Sequence, residues 1–226
     1  MIDDPEGFIR ANTALQPVPH APEISLYVAD EITPIWKMTE SALGALGISP
    51  PFWAFAWAGG LGLARYVLDH PDAVRGQHVL DLATGCGVVA LAAARAGAAR
   101  VVVNDVDPLA LIAARLNAAA NGVRVVPMLG DLLSVAEPDP LDGVDVVLTG
   151  DVFYDRDLAA QVLPFLQRAA ERGARVVVGD PGRRYLPRAL LLPLERYEVP
   201  VPRDLEGDDA ATVTVWWLPA RAEPDA

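Results

Sequence analysis

The stretch Val79-Leu80-Asp81-Leu82-Ala83-Thr84-Gly85-Cys86-Gly87-Val88 decides the fold of this chain. It reads as a buried strand, a tight turn and the start of a helix at Val88. Gly85 and Gly87 let the backbone approach a ligand where a Cβ would clash. The N-terminus of the helix adds unpaired N–H groups, which suit a carboxylate or a pyrophosphate equally well. The stretch therefore predicts a strand–loop–helix unit with a ligand beside the loop.

On both sides of this loop, short β-branched runs alternate with alanine-rich helical stretches. The predicted strands are residues 78–82, 100–104, 123–128, 144–149 and 174–179, and the predicted helices are 88–96, 108–121 and 158–172. Continuous apolar strands separated by helices predict a parallel, doubly wound sheet whose strand-to-helix loops share one edge. Two further candidate strands, 196–199 and 211–218, complete a seven-strand Rossmann-like α/β sheet, mostly parallel, with the last strand antiparallel.

Residues 1–50 differ from the rest of the chain in composition. Prolines recur through them and break any long helix. A chain of 226 residues suits one domain. We expect an irregular N-terminal extension over 1–50 that packs on a domain spanning 51–226. The aromatic run that follows, Phe52-Trp53-Ala54-Phe55-Ala56-Trp57, reads as the apolar face of a helix that continues to about Leu68.

The chain is strongly acidic, with a formal net charge of -12 and an isoelectric point near 4.6. Such a field repels a phosphate backbone, so nucleic acid is not expected as a partner. The same field attracts a basic protein surface or a cationic amine.

Other features concern the compartment. No apolar run reaches the length of a membrane span, roughly 18–20 residues, so no membrane association is expected. The acidic N-terminus is unlike a secretory signal or an Arg-rich transit peptide. His20, His70 and His78 show no metal-ligand spacing. These features predict a cytoplasmic protein without a metal, and we expect a monomer.

The glycine loop is compatible with two cofactors. Gly85 to Ala90 satisfies the dinucleotide pattern G-x-G-x-x-G/A, and Asp105 follows at the spacing of a ribose-binding acid. Asp81 favours S-adenosylmethionine instead, because a carboxylate there can engage the ammonium of that cofactor through water or backbone but would repel a pyrophosphate. The long chain before the loop also favours this cofactor. Ala83 stands where the usual E/D-x-G-x-G-x-G pattern has its first glycine.

Polar and aromatic residues at the other strand ends complete the candidate site. Asp105 is expected to accept hydrogen bonds from the ribose hydroxyls, and Asp131 to accept one from the adenine amino group. A capping or turn role is the alternative for both. Asp151 and Tyr154, after the fourth strand, are the catalytic candidates, since together they could hold an amine facing the methyl group. An aromatic ring near the cofactor loop, such as that of Trp57, could stack on adenine.

Three further segments lie on the same edge. Asp107 and Asp155 are expected to cap the helices that follow them. Gly179-Asp180-Pro181-Gly182-Arg183 follows the fifth strand and reads either as part of the site or as a plain proline–glycine turn.

Taken together, these stretches resemble the electron transfer flavoprotein β-subunit lysine methyltransferases, a branch of the seven-strand class I methyltransferases that carry a D-x-x-Y motif. The resemblance rests on Trp57 with Gly59-Gly60, Asp81–Gly87, Asn104–Pro108, Gly150–Asp155 and Gly179–Arg183. It implies S-adenosylmethionine as cofactor, with Trp57, Asp81, Ala83, Gly85, Gly87, Asp105, Asp131 and Asp151 at its site. It also implies methyl transfer to lysines of the flavoprotein β subunit, beside the docking loop for dehydrogenases.

The residues themselves leave the acceptor open. A small amine or heterocycle such as nicotinamide, another protein such as a ribosomal one, and a non-catalytic cofactor-binding role are the alternatives. A lysine acceptor has a pKa near 10.4 and must lose a proton before attack. We expect Asp151 and Tyr154 to position the amine, and the proton to leave to solvent or through Asp151.

Overall fold

The computed structural model describes residues 2–29, 50–134, 139–203 and 207–220. The helices are α1 (Pro5–Asn12), α2 (Ala58–Asp69), α3 (Val88–Arg95), α4 (Pro108–Ala120) and α5 (Arg156–Glu171). The strands are β1 (Ala14–Val18), β2 (Ala21–Val28), β3 (His78–Leu82), β4 (Arg100–Asp105), β5 (Val126–Leu129), β6 (Val146–Gly150), β7 (Arg175–Asp180), β8 (Leu192–Pro200) and β9 (Ala210–Leu218). Residues 30–49 of the expected extension lie outside the described ranges.

A seven-stranded sheet in the order β5-β4-β3-β6-β7-β9-β8 forms the centre of the molecule. β3 pairs in parallel with β4 on one side and β6 on the other, and β9 runs antiparallel to both β7 and β8. The predicted mostly parallel sheet is confirmed. Parallel strands direct all their carboxyl ends to one edge, and the sequence motifs meet there.

The strands alternate between two apolar layers. Val79 and Val177 belong to the core cluster beneath α2 and α3, whereas Leu80 and Val176 belong to the cluster beneath α5. This period of two is what strands covered on both faces require. Within the described residues, no helix combines the length and apolarity needed to cross a bilayer.

Two helices, α4 and α5, begin at aspartate caps on the carboxyl edge. The carboxylate of Asp107 accepts a hydrogen bond from the Leu109 N–H at 2.9 Å, and Pro108 opens α4. Asp155 likewise accepts hydrogen bonds from the N–H groups of Asp157 and Leu158, both at 2.9 Å. Both predicted caps are confirmed, and each orients its helix away from the edge that holds the site.

The N-terminal segment is more regular than the sequence analysis expects. Residues 5–28 form α1 and the β1–β2 hairpin, and Ile9 of α1 is buried against α4. Asn117 of α4 accepts a hydrogen bond from the Tyr27 N–H at 2.7 Å and so attaches the hairpin. The expectation of irregular structure is wrong for this segment, because a proline is tolerated at a helix start and in a short, exposed strand such as β1.

The aromatic run also differs from its prediction. Phe52–Ala54 form a single 3-10 turn, and α2 begins only at Ala58. Phe55 and Trp57 between them have extended backbones. The chain therefore crosses the carboxyl edge before it turns into α2, and this path places aromatic rings beside the site.

Candidate functional site

The loop after β3 has three residues with left-handed backbones. Ala83, Gly85 and Gly87 have φ angles of 56°, 52° and 84°. A Cβ on Gly85 would meet open space, whereas a Cβ on Gly87 would lie 3.0 Å from the Cβ of Ala114 in α4. Gly85 thus opens the loop toward a ligand and Gly87 packs the loop against a helix. Ala83 adopts a conformation that favours glycine, which explains why its position is usually glycine in this pattern.

Asp81, at the end of β3, braces this loop from behind. Its Oδ2 accepts hydrogen bonds from the Thr84 hydroxyl at 2.6 Å and from the Ala90 N–H at 3.1 Å. Burial raises the pKa of Asp81 to about 7, although both hydrogen bonds oppose the rise. The carboxyl group therefore joins the strand end, the turn and α3.

Asp105, at the end of β4, connects two loops. Its Oδ2 accepts a hydrogen bond from the Gly85 N–H and its Oδ1 accepts one from the Asp107 N–H, both at 3.0 Å. Burial raises the pKa of Asp105, and the N–H groups of Asp107 and Gly85 oppose this rise. A carboxylate oxygen can accept more than one hydrogen bond, so Asp105 retains capacity for hydroxyl groups.

Asn104 holds two elements of the site together, a role that was not predicted from the sequence. Its amide nitrogen donates hydrogen bonds to the carbonyls of Met128 and Gly130, both at 2.9 Å. It thereby ties the end of β4 to the loop after β5, in which Asp131 lies. Its signals in the sequence were its place directly before Asp105 and its position in the stretch Asn104–Pro108 that carries the family resemblance.

Asp131 caps its own turn. Its Oδ1 accepts a hydrogen bond from the Leu133 N–H and its Oδ2 accepts one from the Ser134 hydroxyl, both at 2.9 Å. The turn role that the sequence left open is therefore present. Since Asp131 also lines the cavity described next, an adenine contact is compatible with that turn.

A cavity of about 480 Å³ runs along the carboxyl edge. Seven of the predicted site residues line it: Trp57, Ala83, Gly85, Asp105, Asp131, Asp151 and Tyr154. Asp81 and Gly87 are not among its lining residues and support the loop instead. The volume lies within the range of small-molecule sites, about 300–1,000 Å³.

Asp151 lies at the β6 end of the cavity, with an unusual backbone and an ion pair. Its φ angle is 57°, in the left-handed region. Its Oδ2 accepts a hydrogen bond from the Gly60 N–H at 3.0 Å, and its Oδ1 accepts two from Arg183, from Nε at 2.9 Å and Nη2 at 2.6 Å. The sequence placed Arg183 on this edge without a role, and its pairing with Asp151 was missed.

Glycines let three elements meet at this point. A Cβ on Gly59 of α2 would lie 2.4 Å from the Gly179 carbonyl oxygen and 2.6 Å from Asp151 Oδ2. A Cβ on Gly150 would lie 2.7 Å from the Gly60 nitrogen. The start of α2 therefore sits directly on the ends of β6 and β7, and no larger residue fits at these positions.

Three aromatic rings line the same end of the cavity. The Phe52 ring centroid lies 5.9 Å from that of Trp57 and 6.1 Å from that of Tyr154. The Trp57 Nε1–H donates to the Phe52 carbonyl at 3.0 Å. Phe52 and Tyr154 are 49% and 51% exposed, so the cluster borders solvent. Phe52 is a second residue whose place in the site was not predicted, since it was interpreted only as part of the apolar face of a helix.

Sequence comparison with known proteins identifies the family of this chain. The chain is 38% identical over 201 residues to the electron transfer flavoprotein β-subunit lysine methyltransferase of Rattus norvegicus, covering 86% of this chain and 76% of that protein. It is 40% identical over 184 residues to the Homo sapiens protein, covering 80% and 68%. The chain belongs to the electron transfer flavoprotein β-subunit lysine methyltransferase family. It is an S-adenosylmethionine-dependent methyltransferase, as the motifs predict.

Two further similarities agree with the assignment of this chain to a methyltransferase family. The family model of the ribosomal protein L11 methyltransferase (PrmA) matches residues 66–149, which include the loop after β3 and the ends of β4 and β5. A crystal structure of a Thermoplasma acidophilum protein superposes with a TM-score of 0.53 at 19% identity, covering 71% of this chain and 89% of that one. That likeness supports the fold alone. The dinucleotide alternative for the glycine loop is discarded.

The cavity of this methyltransferase suits its cofactor. S-adenosylmethionine is a cationic nucleoside, and the cavity offers the carboxylates of Asp105 and Asp131 together with open backbone at Gly85. Asp151 and Tyr154, the predicted catalytic residues, line the same cavity. The cavity can therefore hold a nucleoside and admit an acceptor side chain.

Proposed function

We propose that this methyltransferase transfers methyl groups from S-adenosylmethionine to lysine side chains of the electron transfer flavoprotein β subunit, beside its dehydrogenase-docking loop. The observation that carries the proposal is the 38–40% identity to proteins named for this activity, over at least 80% of the chain. The D-x-x-Y residues at the solvent-bordering end of the cavity give it further support.

Residues at the carboxyl ends of the strands contact the cofactor. Asp105 accepts hydrogen bonds from the ribose hydroxyls and Asp131 from the adenine amino group. Ala83 and Gly85 present backbone to the amino-acid portion, and Asp81 keeps that loop in place through Thr84 and Ala90. When bound, this cofactor supplies an electrophilic methyl group on a sulfonium. The acceptor nitrogen forms its bond to that carbon as the carbon–sulfur bond breaks.

The acceptor enters between the aromatic rings. Phe52 and Tyr154 form an apolar and π-rich border that suits the alkyl arm and the amine of a lysine, and Trp57, which contacts Phe52, remains the candidate for stacking on adenine. Tyr154 and Asp151 orient the nitrogen toward the methyl group. Burial and the nearby charges of Asp155 and Asp105 raise the pKa of Tyr154, so the phenol stays protonated and can donate or accept a hydrogen bond.

The charge of the chain agrees with a protein acceptor. A net charge of -12 attracts a basic, lysine-bearing surface. The cytoplasmic location and the monomeric state remain predictions of the sequence.

An extract labelling experiment tests the proposal without naming the acceptor in advance. The purified enzyme is incubated with S-adenosylmethionine labelled in its methyl group and an extract of the source cells, and labelled bands are identified by mass spectrometry. We expect label on lysines of the flavoprotein β subunit. Label on a ribosomal protein or a small molecule, with none on the flavoprotein, would contradict the proposed acceptor and leave the methyltransferase activity standing.

A further inference from the structure

We propose that Arg183 is a positioning residue for methyl transfer, which fixes the carboxylate of Asp151 and balances its charge so that the acceptor reacts as a neutral amine. The inference rests on the proposed function, because it assumes that a lysine enters beside Asp151 and Tyr154. Arg183 ends the stretch Gly179–Arg183 that contributes to the family resemblance, but neither that resemblance nor the D-x-x-Y motif assigns it a role.

The contact between the two side chains is partly buried, and two donors of the planar guanidinium fork converge on one carboxylate oxygen. Nε and Nη2 of Arg183 both donate to Asp151 Oδ1, and the side chains of Arg183 and Asp151 are 23% and 11% exposed. Arginine holds a carboxylate in one orientation better than lysine does, because its donors are fixed in a plane. With Gly60 N–H on Oδ2, both oxygens of Asp151 are held in place.

The backbone around Arg183 is held as well. Asp180 Oδ1 accepts hydrogen bonds from the N–H groups of Gly182 and Arg183, both at 2.6 Å. The Tyr185 N–H donates to the Phe153 carbonyl at 3.1 Å, and the Asp151 N–H donates to the Gly179 carbonyl at 3.1 Å. The loops after β6 and β7 are thus joined on both sides of the ion pair. This arrangement stabilises the left-handed backbone of Asp151.

The charge of Arg183 bears on the protonation of the acceptor. An Asp151 carboxylate without a cationic partner would stabilise a lysine ammonium and so retain the proton that must leave. In the ion pair its charge is already balanced, and the guanidinium disfavours a second cation nearby. The amine then loses its proton to solvent, and Asp151 accepts a hydrogen bond from the neutral nitrogen. Other charges act on the residues next to the pair: Tyr154 experiences those of Asp155 and Asp105, and Asp180 experiences those of Arg183 and Arg188.

The test compares three variants by steady-state kinetics from pH 6 to pH 10. Arg183→Met removes the charge and keeps the length of the side chain, and Arg183→Lys keeps the charge and loses the fork. Arg184→Met is the matched control, because Arg184 is the next residue, is exposed, and lies over the Tyr185 ring at 5.6 Å. Binding of S-adenosylhomocysteine, measured by calorimetry, checks that each variant keeps a folded cofactor site.

For Arg183→Met we expect unchanged S-adenosylhomocysteine affinity and a kcat about 100-fold lower, the loss that a misplaced catalytic group brings. The acid limb of the kcat–pH profile should also move to higher pH, since the amine then holds its proton more tightly. A purely structural role would lower kcat without moving that limb. Arg183→Lys should keep the wild-type limb with a reduced kcat, and Arg184→Met should match the wild type.

An unmoved acid limb in Arg183→Met would overturn the inference, whether kcat stays at the wild-type value or falls. If Arg183→Met loses S-adenosylhomocysteine binding, the kcat of Arg183→Lys is the deciding measurement. A wild-type kcat in Arg183→Lys would overturn the inference. Failure of the proposed function can be distinguished from failure of this inference, because in the extract experiment the wild-type enzyme itself would then leave the flavoprotein unlabelled. The variants are in that case measured on the acceptor that the wild type labels in extract.

Discussion

Asp81 is a buried carboxyl group whose ionisation the fold opposes. Burial raises its pKa to about 7, against about 3.9 for aspartate in an unfolded chain. The folded protein therefore binds this proton more tightly than the unfolded chain does. The stability linked to it is fully present below about pH 4 and is lost as the pH rises to about 7.

An Asp81→Asn variant tests this linkage, because asparagine can accept the hydrogen bonds of Thr84 and Ala90 without carrying a charge. Between pH 5 and pH 8, the melting temperature of the wild type should fall relative to that of the variant, by roughly 5 °C. Thermal unfolding of both proteins without cofactor measures the difference. If the melting temperature of the wild type instead rose relative to that of the variant with increasing pH, the charged form of Asp81 would stabilise the fold.

Asp105 and Asp107 provide a matched pair for cofactor binding. Both line the cavity, but the Oδ1 of Asp107 already accepts the hydrogen bond that caps α4. Asp105→Asn removes one charged acceptor and should weaken S-adenosylhomocysteine binding roughly 10- to 100-fold. Asp107→Asn should bind as the wild type does, because asparagine caps a helix equally well. Titration calorimetry on both variants measures this, and equal affinities would remove Asp105 from the ribose site.

For single residues, roles that depend on local spacing were predictable from the sequence, whereas long-range hydrogen-bond partners were not. Asp107 and Asp155 were correctly predicted as caps because a cap depends on local spacing. The pairing of Asp151 with Arg183 joins loops 32 residues apart, and no local pattern encodes such a contact.

Among the elements, the contact of α2 with β6 and β7 sets the shape of the site. Gly59 and Gly60 are adjacent in α2, yet a Cβ on Gly59 would lie 2.4 Å from a backbone oxygen, whereas one on Gly60 would lie 3.4 Å from a Val88 methyl group. The first distance requires the helix to shift, and the second is an ordinary contact.

Alanine substitutions should therefore have opposite effects at these two positions. Gly59→Ala is expected to lower the free energy of unfolding by about 1–3 kcal/mol through overpacking, and to reduce kcat because Asp151 moves. Gly60→Ala should leave activity intact and stabilise the protein by up to about 1 kcal/mol through helix propensity. Urea unfolding and kinetics measure both effects. A stable and fully active Gly59→Ala enzyme would disprove the tight junction.

The order of the elements was predictable because buried parallel strands and helices have distinct periods. The ends of the elements were predicted less accurately. β5 begins at Val126 instead of residue 123, and β8 extends over Leu192–Pro200 instead of 196–199. The helix and hairpin in residues 5–28 escaped prediction because their prolines were read only as breakers. The path of Phe52–Trp57 depends on packing across the sheet edge, which the aromatic pattern does not contain.

Over the whole molecule, the acidity of the chain makes a prediction about the acceptor. Attraction between a protein of net charge -12 and a basic surface weakens with salt, because the Debye length falls from about 10 Å at 0.1 M to about 3 Å at 1 M. The KM for a protein acceptor should thus rise steeply with salt, while the KM for S-adenosylmethionine changes less. An acceptor KM independent of salt would favour a small molecule.

The most direct test of the proposed function uses purified electron transfer flavoprotein from the source organism. The enzyme and S-adenosylmethionine are added to it, with an Asp105→Asn enzyme as the control, and the β subunit is mapped by peptide mass spectrometry. We expect methylated lysines near the dehydrogenase-docking loop, formed much more slowly by the control enzyme. An unmodified β subunit, under conditions in which the enzyme methylates another acceptor, would contradict the proposal.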